Sequence, residues 1–402
     1  MTALERRASG SLASVFAARM LGLFLVLPVF ALEAARYPGG DDPAMIGLAM
    51  GIYGLTQGLL QIPFGMASDR FGRKRTIIAG LLVFAIGSFI AAAAGSLFWL
   101  IVGRSLQGAG AVSAAVTALL ADQTRDEVRT KSMALVGASI GLMFALSLVA
   151  APVLAGLVGL SGLFALTGVL ALGCMAIIRW WTPPEPEQHR AVARGGLMEV
   201  LRHPHLLRLD VGVFVLHAVQ LAMWVAVPGL LVAAGLAAEH HWRVYLPAVL
   251  ASFVVMAAVL FPLERRGYLR AVFLGAVALI TLVQLGFLLV AGQPGVVELA
   301  VLLFLFFCGF NVLEASQPSM ASRLARAQVR GAALGVYNTL QSIGFFAGGA
   351  AGGWLAKHAG VHGVFGACAA FMLLWLAVAW HMRAPVAAPT AEQTLADEAQ
   401  AT

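Results

Sequence analysis

Apolar stretches of membrane-spanning length alternate with short polar connections along almost the whole of this sequence. About 20 apolar residues in a helix cross the hydrocarbon core of a bilayer. Hydropathy predicts helices of this kind, numbered here as spans one to twelve in chain order, at 12–34, 45–65, 76–95, 97–121, 132–158, 161–181, 207–235, 244–263, 271–291, 297–322, 332–357 and 361–382. The pattern predicts an all-α polytopic membrane protein.

One connection is much longer than the others. Residues 182–206 are rich in proline and arginine and poor in apolar side chains, and we interpret them as a cytoplasmic linker. The linker divides the chain into an N-terminal six-helix bundle at 1–181 and a C-terminal six-helix bundle at 207–383. The tail at 384–402 is rich in alanine, is acidic and has no apolar face, so we expect a disordered cytoplasmic segment.

The two predicted bundles carry similar local sequences at matching places. The pairs, in chain order and at nearly one offset, are Pro28 with Pro228, Asp69–Gly72 with Glu264–Gly267, Glu127–Arg129 with Gln328–Arg330, and Ser139–Gly141 with Ser342–Gly344. Each match alone is weak, but together they indicate duplication of a six-span unit. Transporters built from repeated units bind their substrates near the bilayer midplane, between the repeats.

Composition and charge agree with a membrane protein. Charged residues make up 11% of the 402 residues and hydrophobic residues 60%, whereas a soluble domain has about 25% charged residues. Most of the 26 Lys and Arg residues fall in connections on one side of the predicted topology, as cytoplasmic loops do. This bias places both termini in the cytoplasm and explains the net charge of +7 without a nucleic-acid partner.

Glu314 is an acidic residue near the middle of span ten, one turn from Asn311 on the same helix face. A charge at the bilayer centre is expensive, so such a residue needs a partner or a task. We favour a proton-carrying carboxyl that is loaded and unloaded as a cavity changes sides. The alternative is a structural acid that joins two helices by hydrogen bonds.

Three basic side chains also lie within predicted spans. Arg104 in span four stays protonated at any relevant pH, so it must meet an acid, carbonyl groups or water. Arg19 in span one is expected to extend towards the cytoplasmic surface. His217 in span seven can titrate near neutrality, but a single histidine among apolar residues is more often a packed hydrogen-bond donor.

Several uncharged polar side chains are candidates for the lining of a substrate cavity. Tyr53, Gln57 and Gln61 follow one face of span two, and Asn338 and Gln341 lie together on span eleven. Gln107 and Asn311 are candidates for the same lining. Hydrogen bonds between helices would explain the same pattern.

The loop between spans two and three carries the motif Gly65-x-x-x-Asp69-Arg70-x-Gly72-Arg73-Lys74-Arg75. This motif resembles the signature loop of major facilitator superfamily (MFS) transporters. The resemblance implies that Asp69 caps the N-terminus of the eleventh helix across the two bundles and bonds to Arg73, with Asp122 as a further acidic partner. Such a cluster would latch the cytoplasmic side in the outward-open state.

Other stretches strengthen this resemblance. Arg104, Gln107 and Gly108 match the R-x-x-Q-G motif of MFS transporters, which is associated with proton transfer in the proton-coupled members. A structural clamp between helices one and four remains the alternative role for Arg104. Span five resembles the glycine-rich motif of exporting MFS antiporters at Ala151, Pro152 and Gly156, because small residues occupy the glycine positions of that motif. The chain looks most like the YajR-type drug-efflux branch, but we expect it to lack that branch's additional C-terminal cytoplasmic domain.

The resemblance implies the MFS fold, with twelve transmembrane helices in two pseudo-symmetric six-helix bundles. We predict a monomeric secondary transporter of the bacterial inner membrane that works by alternating access, with lipid and a small-molecule substrate as its partners. Proton-coupled efflux is favoured, and a proton-coupled importer of a metabolite is the alternative. No P-loop, metal-site or catalytic pattern is visible, so we expect neither an enzyme nor a cofactor, and the proton gradient supplies the energy.

Overall fold

A computed structural model of the protein describes residues 1–185, 196–326 and 329–382. Within these ranges the chain forms helices and turns and no β-strand. The tail at 384–402 and the middle of the linker, for which we predicted an irregular chain, lie outside the described residues.

The α-helices are numbered in chain order. They are α1 (Ala3–Val26), α2 (Phe30–Ala34), α3 (Pro43–Phe71), α4 (Arg73–Ala92), α5 (Leu97–Ala109), α6 (Ser113–Asp122), α7 (Asp126–Ala176), α8 (Gly196–Arg202), α9 (Pro204–Ala233), α10 (Trp242–Arg265), α11 (Leu269–Val290), α12 (Val296–Leu324) and α13 (Arg330–Trp380). A π-helical turn, Ile177–Trp181, continues α7, and a 3₁₀ turn, Ala238–His240, precedes α10.

The twelve predicted spans are confirmed. In the described residues, nine helices are long and apolar enough to cross a membrane. Two of them, α7 and α13, each contain two spans that meet at a non-helical glycine. The short helices α5 and α6 together supply span four, which completes the set.

Turn glycines show the duplication of the fold directly. The described residues with positive φ are all glycines, and they are Gly39, Gly72, Gly159, Gly235, Gly267 and Gly360. They pair between the halves as 39 with 235, 72 with 267 and 159 with 360. Gly159 has φ 66° and ψ −176°, and Gly360 has φ 61° and ψ −168°. Because other residues rarely adopt this conformation, the same turns recur at matching places in both six-helix bundles.

Two spans are interrupted in a way that hydropathy did not predict. Span one breaks between Val26 and Phe30, where Pro28 lacks an N–H donor and its ring would clash with the preceding turn. Span four breaks between α5 and α6, next to Gly110. A Cβ atom on Gly110 would lie 2.5 Å from the Gly80 carbonyl oxygen, so the break accompanies a very close approach to α4.

The two halves pack closely where α3 crosses α13. A Cβ atom on Gly47 would lie 2.2 Å from the Gly349 carbonyl oxygen, and one on Gly54 would lie 2.3 Å from the Ser342 carbonyl oxygen. Small residues permit such backbone contacts between membrane helices. In the predicted topology, this end of both helices lies on the periplasmic side.

The same two helices separate towards the predicted cytoplasmic side. On α3, the packed face ends near Gly58, and Met66 beyond it is 66% exposed. On α13, Cβ atoms built on Gly331 and Gly335 would meet no atom within 4 Å. With the predicted topology as reference, the described close contacts between α3 and α13 therefore lie at the periplasmic end and in the middle of the two helices and not at the cytoplasmic end.

Candidate functional site

A cluster of Glu314, His217 and Gln341 joins three helices of the C-terminal half. The His217 Nδ1 atom is 2.8 Å from the Val213 carbonyl oxygen. Its Nε2 atom is 2.8 Å from the Gln341 amide nitrogen and 3.3 Å from a Glu314 carboxylate oxygen. The Gln341 amide also donates to the other Glu314 oxygen, at 3.4 Å. Glu314 therefore faces α9 and α13 and does not lie isolated in lipid.

Hydrogen bonding fixes the chemistry of the His217 ring. Because a carbonyl oxygen only accepts, Nδ1 carries a proton and Nε2 of the neutral ring accepts from Gln341. A second proton at Nε2 would turn this atom into a donor towards Glu314. The prediction that His217 is a packed hydrogen-bond donor therefore holds for Nδ1. It does not describe Nε2, which faces the Glu314 carboxylate.

Exposure differs sharply between the two titratable members of the cluster. The His217 side chain is 2% exposed, whereas the Glu314 side chain is 41% exposed. The Phe345 ring packs edge-on against the imidazole, with the ring centroids 4.9 Å apart. The Glu314 carboxyl is therefore partly accessible from between the bundles, whereas the His217 imidazole is shielded from solvent.

Asp210, two turns before His217 on α9, is a buried carboxyl that the sequence analysis missed. The residue is 3% exposed, and its Oδ2 atom has no hydrogen-bond partner among the described residues. In the sequence it lies close to the predicted start of span seven, where an aspartate is expected to reach interfacial water. The sequence feature that could have identified this buried carboxyl is its position, three residues inside a predicted span.

Arg19 is buried in the N-terminal half. It is 3% exposed. Its Nη1 atom donates to the Ser113 hydroxyl at 2.8 Å, and its Nη2 atom donates to the Tyr53 hydroxyl at 3.0 Å. The expectation that Arg19 extends to the cytoplasmic surface is wrong, because these two hydroxyls hold its guanidinium inside the bundle.

Arg104 is also buried and joins α5 to neighbouring spans. Its guanidinium donates to the Gln107 side-chain oxygen at 3.0 Å and to the Met50 carbonyl oxygen at 3.4 Å. It lies over the Tyr53 ring, 4.9 Å from the centroid, and 6.0 Å from the centroid of Phe30 in span one. These contacts are those of a structural clamp, and a part in proton transfer stays a prediction.

Three of the predicted cavity residues remain available to the opening between the halves: Gln57, Asn338 and Gln341 are half-buried. Gln61 and Tyr53 are buried. Gln107 donates to the Ser88 hydroxyl, and Asn311 donates to the Ser252 hydroxyl, each at 2.8 Å. Gln107 and Asn311 thus depart from the expected cavity lining and connect neighbouring helices in this conformation.

The signature loop forms a charge cluster at the cytoplasmic end of the N-terminal half. Arg73 lies 2.5 Å from an Asp69 oxygen and 3.1 Å from an Asp122 oxygen. It also donates to the Ser68 hydroxyl at 2.7 Å. Arg70 is exposed and lies over the Phe71 ring instead.

The predicted contact between Asp69 and the eleventh helix is not made in this conformation. The Asp69 carboxylate pairs with Arg73, and no hydrogen bond joins it to α13 within the described ranges. Asp69 is exposed, and Gly65, one turn before it, is half-buried. The cluster around Arg73 is therefore complete within one bundle while the cytoplasmic ends of α3 and α13 are apart, and the latch across the bundles stays a prediction.

Glu185, at the start of the linker, caps α4 in a way that the sequence did not reveal. Its two carboxylate oxygens accept from the backbone N–H groups of Arg73 at 2.9 Å and Lys74 at 2.6 Å. Gly72, with φ 97°, turns the chain at this point. A carboxylate is favoured at a helix N-terminus, so Glu185 anchors the linker to the signature loop.

The antiporter-like motif of span five lies within α7. Ala151 and Pro152 are buried, whereas Gly156 is exposed and a Cβ atom on it would meet nothing within 4 Å. Close helix approach therefore occurs at Ala151 and Pro152 and not at Gly156 in this conformation.

Comparisons with known proteins point in one direction. The sequence model of the Major Facilitator Superfamily matches residues 12–349 and 263–400. The inner membrane transport protein YajR of Escherichia coli (strain K12) is 41% identical over 389 residues, which are 96% of this chain and 85% of that protein. The multidrug resistance protein MdtH of Shigella boydii is 26% identical over 357 residues, which are 84% of this chain and 83% of that protein.

Solved structures show the same architecture. A crystal structure of the nucleoside transporter NupG is similar with a TM-score of 0.74 and 13% sequence identity, and the match covers 92% of this chain and 99% of that one. At this identity the likeness concerns the fold alone.

Proposed function

The chain belongs to the major facilitator superfamily, and from this premise we propose that it is a proton-coupled antiporter that exports small organic compounds across the bacterial inner membrane by alternating access. Its relatives are secondary membrane transporters, and YajR is an inner membrane protein. Efflux and proton coupling are the parts that the proposal adds. The multidrug resistance protein MdtH, at lower identity, is consistent with export.

The observation that carries proton coupling is the placement of Glu314. Its carboxyl is partly exposed in the opening between the bundles, and its other side faces buried His217 at 3.3 Å. A carboxyl in such a place can bind a proton from one side of the membrane and release it to the other side when the cavity changes sides. Gln341 bonds to both residues, so a proton on either one alters the hydrogen bonds that connect α9, α12 and α13.

Proton exchange would follow the two open states. In the outward-open state, Glu314 takes a proton from the periplasm, and the substrate leaves. In the inward-open state, Glu314 faces the cytoplasmic opening and releases the proton, and substrate binds. Because the two events use one cavity, proton entry drives substrate exit without ATP.

Inside-out membrane vesicles test the proposal with three probes of different charge: ethidium, norfloxacin and 2-naphthoate. We expect at least one probe to accumulate when the vesicle lumen is acidic. In Glu314→Gln, which cannot bind and release a proton, this pH-driven accumulation is abolished while protein abundance and counterflow of unlabelled against labelled probe persist. Glu298→Gln, in the first turn of α12, is the matched control and keeps full activity.

The direction of the gradient separates export from import. Accumulation that requires an acidic lumen supports antiport, because the same vesicles with an alkaline lumen then show none. Accumulation that requires an alkaline lumen would instead identify a proton-coupled importer. Intact proton coupling in Glu314→Gln would contradict the assigned role of this carboxyl.

A further inference from the structure

Two basic side chains bind the carbonyl groups at the predicted cytoplasmic end of span six. The Arg7 guanidinium, near the start of α1, donates from Nε to the Trp181 carbonyl oxygen at 2.6 Å and from Nη2 to the Trp180 carbonyl oxygen at 3.2 Å. The Lys74 ammonium, at the start of α4, donates to the next carbonyl oxygen, that of Thr182, at 2.6 Å. Two cations therefore meet at three consecutive carbonyl groups.

The C-terminal half repeats this arrangement at the end of span twelve. Arg208, in the first turns of α9, donates to the His381 carbonyl oxygen at 3.1 Å. Arg270, at the start of α11, donates from Nη2 to the Trp380 carbonyl oxygen at 2.7 Å and from Nε to the Met382 carbonyl oxygen at 2.9 Å. In each half, the first and the third span therefore contribute one cation each to the end of the sixth span.

Both basic clusters, Arg7 with Lys74 and Arg208 with Arg270, retain hydrogen-bond donors for a further anion. A guanidinium group has five N–H donors and an ammonium group three, and the carbonyl oxygens occupy one or two donors of each cation. Within the described ranges, no carboxylate forms an ion pair with any of the four. The Glu185 carboxylate near Lys74 accepts from backbone N–H groups instead. Stabilisation of a helix C-terminus by cations accounts for the bonds that are made and leaves the remaining donors without a role.

An exposed tryptophan lies in each cluster. Trp180 is 73% exposed and Trp380 is 60% exposed, and each supplies one of the carbonyl oxygens that the clusters bind. The exposed Trp181 ring packs near α1, because it lies 4.0 Å from a Cβ atom built on Gly10, one turn after Arg7. Tryptophan rings favour the level of the lipid headgroups, where one end of the ring is apolar and the other is wet. In the predicted topology, both clusters lie at that level on the cytoplasmic side.

We propose that each basic cluster binds the phosphate group of an anionic phospholipid of the cytoplasmic leaflet, so that two lipids bind at equivalent places on the two bundles. The phosphodiester oxygens accept from the remaining N–H groups, and the planar fork of arginine suits a phosphate because it can donate two parallel bonds. The tryptophan ring packs against the glycerol region and the first carbon atoms of the acyl chains. This inference is independent of proton-coupled efflux, because binding of a lipid needs no transport.

The charge of the clusters selects anionic over zwitterionic lipids. Phosphatidylcholine carries the same phosphate group, but its headgroup ammonium would be repelled by two cations. Phosphatidylglycerol has no such ammonium, and basic clusters at the cytoplasmic surface attract anionic lipids. The comparison of these two lipids therefore separates a charge-selective site from general coverage by the bilayer.

Native mass spectrometry of the purified full chain counts the lipids that stay bound. With phosphatidylglycerol we expect two retained lipids per chain, and with phosphatidylcholine at the same concentration none. Arg7→Gln/Lys74→Gln should retain one phosphatidylglycerol, and so should Arg208→Gln/Arg270→Gln. Each cation that is removed should weaken binding at its own cluster by about fivefold, and a double variant by about 25-fold.

Matched controls remove two neighbouring charges on the same side and leave the clusters intact. They are Arg6→Gln/Arg75→Gln for the first cluster and Arg202→Gln/Arg266→Gln for the second, at side chains that are all exposed. Both controls should retain two lipids. A lipid lost from a control, two lipids retained in a cluster variant, or equal retention of phosphatidylcholine overturns the assigned sites. Displacement of the lipids by excess glycerol 3-phosphate would show that the clusters bind soluble phosphates and not a membrane lipid.

Tryptophan fluorescence keeps the inference testable if a cluster variant does not fold, because exposed rings can be replaced without disturbing the interior. In the wild type, phosphatidylglycerol with brominated acyl chains should quench more strongly than brominated phosphatidylcholine at the same mole fraction. Trp180→Phe/Trp380→Phe should remove most of this difference. Trp99→Phe/Trp354→Phe, at exposed rings on the predicted periplasmic side, should keep it. Equal quenching by the two lipids in the wild type, or an undiminished difference in Trp180→Phe/Trp380→Phe, overturns the lipid sites.

Discussion

Tyr53 holds two guanidinium groups in the N-terminal half by two different interactions. Its hydroxyl accepts from Arg19 at 3.0 Å, and its ring faces the Arg104 guanidinium at 4.9 Å from the centroid. Neither arginine forms an ion pair with a carboxylate in the described residues. The tyrosine thus replaces the acidic partner that two buried cations would otherwise require.

Replacing Tyr53 by phenylalanine separates these two interactions. Tyr53→Phe keeps the ring under Arg104 but removes the acceptor of Arg19, and a hydrogen bond to a charged group contributes about 1.5–3 kcal/mol. We expect the free energy of unfolding in mixed micelles to fall by about that amount. Tyr268→Phe, at a residue that is 58% exposed, serves as the control. Equal stability of Tyr53→Phe and wild type would show that the hydroxyl contributes nothing.

Which polar side chains belong to the site could be predicted only in part. Glu314 stands out in the sequence because an acid in a span is rare and costly. The position of Arg19 was predicted wrongly, and the choice between cavity lining and interhelical bonding stayed open for Gln107 and Asn311. In each case the hydrogen-bond partner lies on another helix, and helix periodicity does not identify the neighbouring helix.

At the scale of the helices, the linker and the signature loop form one unit at the cytoplasmic end of α4. Glu185 caps the helix with both oxygens, and the Lys74 ammonium donates to the Thr182 carbonyl oxygen at 2.6 Å. Gln123, at the end of α6, donates to the Pro183 carbonyl oxygen at 2.8 Å. The first residues of the linker are therefore fixed to the N-terminal bundle, which carries the signature loop.

Removing the charge of Glu185 tests this anchor. A carboxylate at a helix N-terminus contributes about 1 kcal/mol, so Glu185→Gln should raise the detached population of the linker start by about fivefold. Maleimide labelling of a cysteine introduced at Thr182, which is 3% exposed, measures this population. The native cysteines are buried and give little background. The Glu199→Gln control should label at the wild-type rate, and so would Glu185→Gln if the cap were unimportant.

Helix breaks were harder to predict than helices. Spans five and six, and spans eleven and twelve, were separated correctly near Gly159 and Gly360, because glycine interrupts two apolar runs there. The break after α5 lies where the backbones of Gly110 and Gly80 approach each other closely. Hydropathy depends on residue type alone and carries no information about contacts between helices. Span four was therefore predicted as one continuous helix.

At the scale of the whole molecule, Asp42 and Lys357 connect the two halves on the periplasmic side. The Lys357 ammonium donates to an Asp42 oxygen at 2.7 Å, and the Ala44 N–H donates to the other at 2.9 Å. The hydrogen bond from Lys357, followed by that from Ala44, holds the pKa of Asp42 below its ordinary value. The ionised form therefore favours closure of the periplasmic ends.

Periplasmic closure should consequently weaken in acid. For a group with a lowered pKa, the stabilisation is present above the ordinary value, about 3.9 for aspartate, and is lost as the pH falls through the lowered value. We expect spin labels on the periplasmic ends of α3 and α13 to move apart below about pH 4 in the wild type. Asp42→Asn should remove this dependence, whereas Asp41→Asn should retain it. The same acid response in Asp42→Asn would assign the effect to another group.

Duplication gives each half its own set of stabilising contacts. The paired turn glycines repeat the same chain reversals in each bundle, and the cytoplasmic ends of both bundles carry ion pairs. In the N-terminal half Arg73 lies between Asp69 and Asp122, and in the C-terminal half Arg323 bonds to Glu264 at 2.5 Å. Each cluster is internal to its bundle, so the rocking that we propose would leave both clusters intact.

Paired distance measurements by electron spin resonance test this rocking most directly. One label pair replaces Arg75 and Gly331 on the cytoplasmic side, and the other replaces Asp41 and His358 on the periplasmic side, at residues that are all exposed. We predict that the cytoplasmic distance is long whenever the periplasmic distance is short. Asp69→Asn, which removes the charge of the predicted latch, should increase the population with long cytoplasmic and short periplasmic distances. Two distances that lengthen together, or an Asp69→Asn variant with unchanged distributions, would contradict alternating access controlled by this loop.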